Sequence, residues 1–273
     1  MQPFTNLSRL SLNQATTKNW TLAQAADGCA RAGIPWIGVW RDRLAEVGSQ
    51  KAAKIIRDAG LRVSGLCRGG MFPATSAAER QARIEDNRRA IEEAATIGTQ
   101  VLVMVCGPAP DRDIQAARAM VEAGIQAIIP DAAAHGVRLA IEPLHPMFAG
   151  DRSVVATLRE ANDLMDRLDS PHVGVITDAY HLWWDADLYP QLERAGKRIA
   201  GYHISDWIVP LPDVLLGRGM MGDGKIELRR IRSAVDQAGY DGPIEVEIFN
   251  QALWDMPGDE LLELICRRYM AHA

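Results

Sequence analysis

Arg138-Leu-Ala-Ile-Glu-Pro-Leu-His-Pro146 is the stretch on which the reading of this chain turns. Leu139 and Ile141 alternate with Arg138, Ala140 and Glu142, the period of two expected of a strand. Pro143 cannot donate to a strand ladder, so the spacing predicts a strand over Val137–Glu142 that stops at a carboxylate. Glu142 then stands at the carboxyl end of a strand, where α/β folds keep their chemistry.

Working outward, the chain alternates short apolar runs with longer amphipathic ones. Strands are expected at Leu10–Leu12, Trp36–Trp40, Leu61–Cys67, Val101–Cys106, Val137–Glu142, Val173–Thr177, Ile199–Ile204 and Ile244–Ile248. Between them the pattern predicts helices at Thr21–Ala32, Leu44–Ala59, Ser76–Ile97 and Asp111–Ala134, the last with a kink or break at Pro130. Helices follow at Ser153–Leu168, with Ser153 as N-cap, and at Leu188–Ala195, Ile226–Ala238 and Gly258–Met270. Residues 206–225 read as a long glycine-bearing connection. Eight strand–helix units in steady alternation imply an all-parallel sheet, and eight close into a (β/α)₈ TIM barrel. An open doubly wound sheet is the competing architecture. No G-x-G-x-x-G follows the first strand, and no P-loop pattern occurs. Without an inter-domain linker or a short-period repeat, residues 1–273 read as one barrel domain.

The composition, 48% hydrophobic and 24% charged over 273 residues, is that of an ordinary globular protein. A net charge of −5 offers no basic face for nucleic acid. The N-terminus lacks a basic segment followed by an apolar one, and no apolar run approaches membrane-spanning length, so a cytoplasmic location is expected. Cys29, Cys67, Cys106 and Cys266 form no C-x-x-C pair and read as reduced, mostly buried thiols. Cys67 and Cys106 close apolar runs, where either can line a pocket.

The chemistry gathers in the second half. Strands five to eight each place a metal-type donor at or just after their carboxyl ends: Glu142, Asp178, His203 and Glu247. Their successive separations of 36, 25 and 44 residues (142 to 178, 178 to 203, 203 to 247) bracket the roughly 30 residues of one barrel unit. Four adjacent units thus send one donor each to the same rim. Three carboxylates and one imidazole form a hard, mostly oxygen set that suits Mn²⁺, Mg²⁺ or Co²⁺, with Zn²⁺ admitted by the histidine. Carboxylates crowded together repel, and a divalent cation explains why they can cluster. Glu245 competes with Glu247 for the ligand role, since both point to one side of the strand. Glu247 is preferred as the nearer to the rim. Glu245, one layer deeper, needs a partner, and Arg138 is conceivable. His145 follows the strand-five carboxylate closely enough to reach the pocket, and Trp40, Trp183 and Trp184 near strand ends offer indole faces on which a sugar can stack. His135, His172 and His272 read as structural.

Ile141-Glu-Pro-Leu-His-Pro146, Thr177-Asp-Ala-Tyr-His-Leu182, Gly201-Tyr-His-Ile-Ser-Asp206, Gly217-Arg-Gly-Met-Met-Gly-Asp-Gly-Lys-Ile226 and Glu245-Val-Glu-Ile-Phe249 resemble the xylose isomerase-like barrels. The match is closest to the branch of inosose isomerases and ketose 3-epimerases. The resemblance covers nearly the whole chain, and its specific motifs lie between residues 138 and 250. It implies one divalent metal, Mn²⁺ above all, held by Glu142, Asp178, His203 and Glu247. It also implies that Glu142 and Glu247 handle protons and that His181 and Arg218 bind substrate; His145 and Trp40 join them as substrate-binding candidates by position alone. The activity implied is isomerisation or epimerisation of a ketose, inosose or related keto-sugar. A carboxylate removes a carbon-bound proton, and the cation stabilises the enediolate that forms. The same abstraction followed by loss of a β-substituent makes a lyase or dehydratase acting on a 3-keto-glycoside or keto-cyclitol, and a non-catalytic sugar-binding barrel is the third reading. Multi-zinc abasic-site endonucleases share the superfamily but use more histidines than the six present here. Partners are then a small keto-sugar or cyclitol, with no nucleic acid or membrane. A homodimer or tetramer is what the resemblance suggests.

Overall fold

The computed structural model describes residues 6–273; the reading of the N-terminal leader falls largely on residues 1–5, outside them. Among the described residues there are ten strands: β1 (Leu10–Asn13), β2 (Trp36–Trp40), β3 (Arg62–Gly70), β4 (Val101–Val105), β5 (Arg138–Ile141), β6 (Val173–Asp178), β7 (Ile199–Ile204), β8 (Asp206–Trp207), β9 (Arg218–Gly219) and β10 (Ile244–Val246). Eight of them close a parallel barrel in the order β1-β10-β7-β6-β5-β4-β3-β2. Closure is made where Leu10 pairs with Ile244 on one side of β1 and Ser11 pairs with Trp36 on the other. The barrel is the (β/α)₈ architecture expected from the alternation. Among the described residues no helix is long and apolar enough to cross a membrane.

Local chemistry explains the helix ends. Thr21 with Gln24, Ser76 with Glu79 and Thr157 with Glu160 form reciprocal capping boxes, each satisfying donors that a helix start leaves free. Gly33, at φ 70°, closes the first helix (Leu22–Ala32) in the left-handed conformation.

Three expectations need correction. The helix expected over Leu44–Ala59 is two helices, Arg41–Val47 and Ser49–Asp58, because Gly48 takes φ 80°, ψ 147° between them. Pro130 does not break its helix, which runs from Ile114 to His135. Ser153 is not an N-cap: its Oγ bonds Val155 backbone, and the helix starts later, at Leu158, with Thr157 as cap. In the connection over residues 206–225, β8 and β9 pair antiparallel as a small ribbon.

Strand β5 shows how the barrel sorts its side chains. Leu139, Ala140 and Ile141 are all fully buried, because a barrel strand is covered on both faces. The period of two decides the layer. Leu139 and Ile141 join the core between barrel and helices, while Ala140 packs inside the barrel with Cys67, Val103 and Ile176. Cys106 belongs to the outer core. Burial, then the nearby Glu247 and Glu142 carboxylates, pushes the Cys67 thiol well above its usual range, so it is a small neutral filler beneath the rim.

Candidate metal centre

The inner apolar cluster gives way at the carboxyl ends of β5, β6, β7 and β10 to a buried polar one. Glu142 follows the last residue of β5, its N–H held by the Met104 carbonyl (3.1 Å). Asp178 is the last residue of β6 and lies in register with His203 of β7. Glu247 follows β10, its N–H bonded to the Ile204 carbonyl (3.1 Å). Only Asp178 and His203 share a register position; Glu247 stands two residues beyond Glu245, the partner of His203, so the stagger of tilted barrel strands, not a common register, brings the four side chains together. Each offers one donor atom, and the four atoms lie within 4.8 Å of one another, all buried. Glu245 is not in this group.

Electrostatics at the cluster follow from burial. His203 Nδ1 is 3.0 Å from Glu142 Oε1 and 4.0 Å from Glu247 Oε2. Burial pulls the His203 imidazole down, but Glu245, Glu142 and Glu247 together outweigh it and push the pKa up to about 10. Asp178 is pushed up to about 6, chiefly by burial; Arg218 pulls it back and Glu142 raises it. Glu247 rises to about 7, again by burial first, with Arg218 opposing and Glu142 adding. Burial thus makes the charged forms of Asp178 and Glu247 costly without further positive charge, and a buried three-carboxylate, one-imidazole set of this kind suits a divalent metal.

The other residues expected at the site converge to different degrees. Arg218 is not a solvated loop arginine: it is only 5% exposed and stands on β9. Its Nη1 donates to Glu247 Oε2 (2.9 Å) and Asp178 Oδ2 (3.3 Å), with the guanidinium sandwiched between the rings of Tyr180 and Phe249, 4.7 and 4.9 Å from their centroids. His181 is buried in the short helix Ala179–Leu182, and its Nε2 lies 3.1 Å from Arg218 Nη2 and 3.6 Å from Asp178 Oδ2. Its Nδ1 accepts from the His145 N–H (3.1 Å). Burial, then Arg218, holds His181 well below the usual histidine range, so it is neutral. His145 reaches the rim through that backbone bond. Its ring caps the turn Pro146–Phe148 by accepting from the Met147 N–H and packs against Trp184 and Trp207. Trp40 reaches the cluster indirectly, its Nε1 donating to Asn13 Oδ1 (2.8 Å) and its ring meeting Phe249 edge-on. Trp183 packs partly buried against the Trp207 ring, and Trp184 donates to the His181 carbonyl. His135, His172 and His272 bond the Asp131 carbonyl, the Val137 carbonyl and Arg268 respectively.

Arg138 is not the partner of Glu245. It lines a cavity of about 960 Å³ at the opposite, amino-terminal end of the barrel, together with Trp36, Arg62 and His172. None of the four clustered donors lines that cavity. Two buried residues escaped the sequence reading. Asn13, beyond the expected end of the first strand, donates through Nδ2 to both Glu245 Oε1 (2.5 Å) and Glu247 Oε1 (3.2 Å). Had Leu10–Leu12 been extended by one residue, the alternation Ser11, Asn13 would have pointed it inward. Asp206 accepts from the backbone N–H groups of Trp207 (2.8 Å), Gly222 (2.9 Å) and Ile226 (3.0 Å), tying the segment that carries Arg218 into a fixed loop. A Cβ at Gly224 would lie 2.4 Å from Asp206 Oδ1, so only glycine lets the chain close on that carboxylate.

A closed (β/α)₈ barrel with a buried acid–histidine cluster at its carboxyl rim defines a class in which one fold serves many small-molecule chemistries. The chain belongs to the xylose isomerase-like TIM barrel family, whose model matches residues 26–266. It is 26% identical over 137 residues to an inosose isomerase of Bacillus subtilis (strain 168), covering 47% of this chain and 46% of that one. It is 28% identical over 179 residues to a 3-dehydroshikimate dehydratase of Pseudomonas aeruginosa, covering 64% of this chain and 27% of the enzyme. The chain thus aligns with about half the length of the isomerase and about a quarter of the dehydratase. A crystal structure of a protein from Sinorhizobium meliloti 1021 superposes with a TM-score of 0.96 at 48% identity, covering 98% of this chain and 99% of that one.

Proposed function

We propose that the protein is a divalent-metal-dependent isomerase or epimerase acting on a ketose, inosose or related keto-sugar. The observation that carries this reading is the convergence of Glu142, Asp178, His203 and Glu247, one donor atom each within 4.8 Å, in a barrel of this family. These four would hold the cation, with Mn²⁺ the best match to three oxygen donors and one nitrogen. When bound, the ion supplies positive charge where negative charge develops on the substrate's oxygens.

The chain's own groups supply the rest. Glu142 and Glu247 come from strands separated by β6 and β7, so their carboxylates approach a substrate from two sides. One removes a carbon-bound proton and the other returns one, to the same carbon for epimerisation or to the neighbouring carbon for isomerisation. His181, with Nδ1 accepting from backbone, carries its proton on Nε2, which faces Arg218 Nη2 at 3.1 Å. The Arg218 guanidinium beside it supplies positive charge that an oxygen gaining charge can use. Trp40 and His145 form walls beside it.

The relationship to a 3-dehydroshikimate dehydratase favours one second reading, a lyase or dehydratase that starts with the same proton abstraction and then expels a β-hydroxyl. Metal analysis combined with NMR in D₂O over free ketoses, inososes and keto-glycosides separates the readings. An isomerase incorporates deuterium at carbon and yields an isomer; a dehydratase yields an unsaturated product; a binding barrel exchanges nothing. Glu247→Ala is expected to lose both metal and exchange, and retention of both would refute the assignment.

A further inference from the structure

Glu245 is a buried carboxylate that the proposed reaction does not use. It lies on β10 one layer below Glu247, 5% exposed, inside the barrel. The chain makes deliberate room for it: a Cβ at Gly38 of β2 would lie 2.1 Å from its Oε1. Asn13 Nδ2 donates to Oε1 (2.5 Å), and Ser64 Oγ donates to Oε2 and is itself bonded to Ser11 (2.8 Å). Among the described residues no lysine or arginine forms an ion pair with it; the one cation-forming group within ion-pair distance is His203, whose Nε2 is 3.8 Å from Oε1. Residues from three strands thus serve a charge that is costly to bury and that faces the back of one imidazole.

The two ring nitrogens of His203 face different groups. Nδ1 looks up toward Glu142 (3.0 Å) and Glu247 (4.0 Å), and Nε2 looks down toward Glu245. A neutral imidazole offers a lone pair at Nδ1 only when its proton sits on Nε2. At 3.8 Å the Glu245 carboxylate acts through its charge rather than through a formed hydrogen bond. With a cation taking the Nδ1 side in place of a proton, that charge would keep the remaining imidazole proton on Nε2.

We infer that Glu245 is a positioning residue that holds His203 in the tautomer and orientation needed to ligate a metal through Nδ1. The inference rests on the metal reading of the four-residue cluster and extends it with a fifth, non-ligating group. Asn13 belongs to the same device, because one side-chain amide fixes an oxygen of Glu245 and an oxygen of Glu247. Its orientation is set by two donors to Oδ1, Trp40 Nε1 and the Ala15 N–H.

The test is titration of the metal-free protein with Co²⁺, following both affinity and the visible spectrum of the bound ion. Groups that orient a ligating histidine are worth roughly 10- to 100-fold in metal affinity. Glu245→Gln, which keeps the shape and removes the charge, is expected to weaken binding by about that factor and to shift the Co²⁺ bands, with far-UV circular dichroism unchanged. Gly38→Ala, which keeps the charge and displaces it, is expected to shift the bands in the same direction, and it serves as the test if Glu245→Gln does not fold. If wild type binds no Co²⁺, or Glu247→Ala binds it as wild type does, the metal reading fails. If wild type binds and Glu247→Ala does not, while Glu245→Gln and Gly38→Ala keep wild-type affinity and spectrum, the metal reading stands and the role of Glu245 is overturned.

Discussion

Replacing Arg218 by methionine separates the charge balance of the site from its packing. The side chain is 5% exposed and its Nη1 neutralises two carboxylates, Glu247 at 2.9 Å and Asp178 at 3.3 Å. Methionine preserves much of the contact with Tyr180 and Phe249 but leaves both acids without their cation. Removing one partner of a buried ion pair costs about 3–5 kcal/mol. Protonation offers partial relief here, because the two carboxyls already sit at about 6 and about 7. A loss near the lower bound, about 3 kcal/mol, is therefore expected for the metal-free protein. With an unfolding entropy of about 2.1 cal/mol/K per residue, that corresponds to a fall in Tm of about 5 °C for this chain. Bound Mn²⁺ supplies the missing positive charge, so the fall should shrink markedly when the ion is saturating. The assay is thermal denaturation of wild type and Arg218→Met at pH near neutral, each with chelator and with excess Mn²⁺. An equal fall under both conditions would mean that Arg218 acts through packing alone and would refute the reasoning.

Other consequences can be checked alongside it. Chelation of the metal from wild type should lower stability by about 2.7 kcal/mol relative to a free-ion concentration about 100 times Kd; a Tm indifferent to chelator counts against a metal at the cluster. Asp206→Ala strands three backbone N–H groups, and with hydrogen bonds to a charged group worth about 1.5–3 kcal/mol each, a total near 3 kcal/mol is expected after water partly satisfies them. Urea unfolding reads this directly, and an unchanged midpoint would show that the loop does not depend on its carboxylate. On the outer surface, hydrogen bonds from Arg198 and Arg194 hold the Asp166 carboxyl below its usual range, and a hydrogen bond from Arg41 does the same for Asp86. Because the folded values lie below the unfolded ones, these pairs stabilise the fold above about pH 4 and lose that contribution as pH falls through the depressed values. The double variant Asp86→Asn, Asp166→Asn should be modestly less stable than wild type near neutral pH and should converge with it in acid; a constant gap at every pH would contradict the assignment.

The sequence by itself determined the architecture and the four donors, for a local reason. Period-two runs, capping residues such as Thr21 and Ser76, and the proline that ends β5 are all properties of neighbours in the chain, and eight repeats of that grammar admit one closed parallel barrel. Glu142, Asp178, His203 and Glu247 close four successive units, so their approach to one rim was legible from their positions at strand ends, while the strand stagger that brings Glu247 rather than Glu245 into the group was not. What only the tertiary structure decided depends on residues far apart. The partners of Glu245 are not Arg138 but Asn13 and Ser64, more than 180 positions distant, in space that Gly38 leaves empty. Arg218 reads as a loop residue in sequence because its flanking glycines carry no period. It becomes part of the site because the Asp206 carboxylate gathers three backbone N–H groups and pairs the β8–β9 ribbon over the rim. Helix breaks were likewise not legible: Gly48 splits a helix by its positive φ, while Pro130 is carried inside one. Period and capping are readable one turn at a time, whereas the partner of a buried charge is set by which strand the barrel brings beside it.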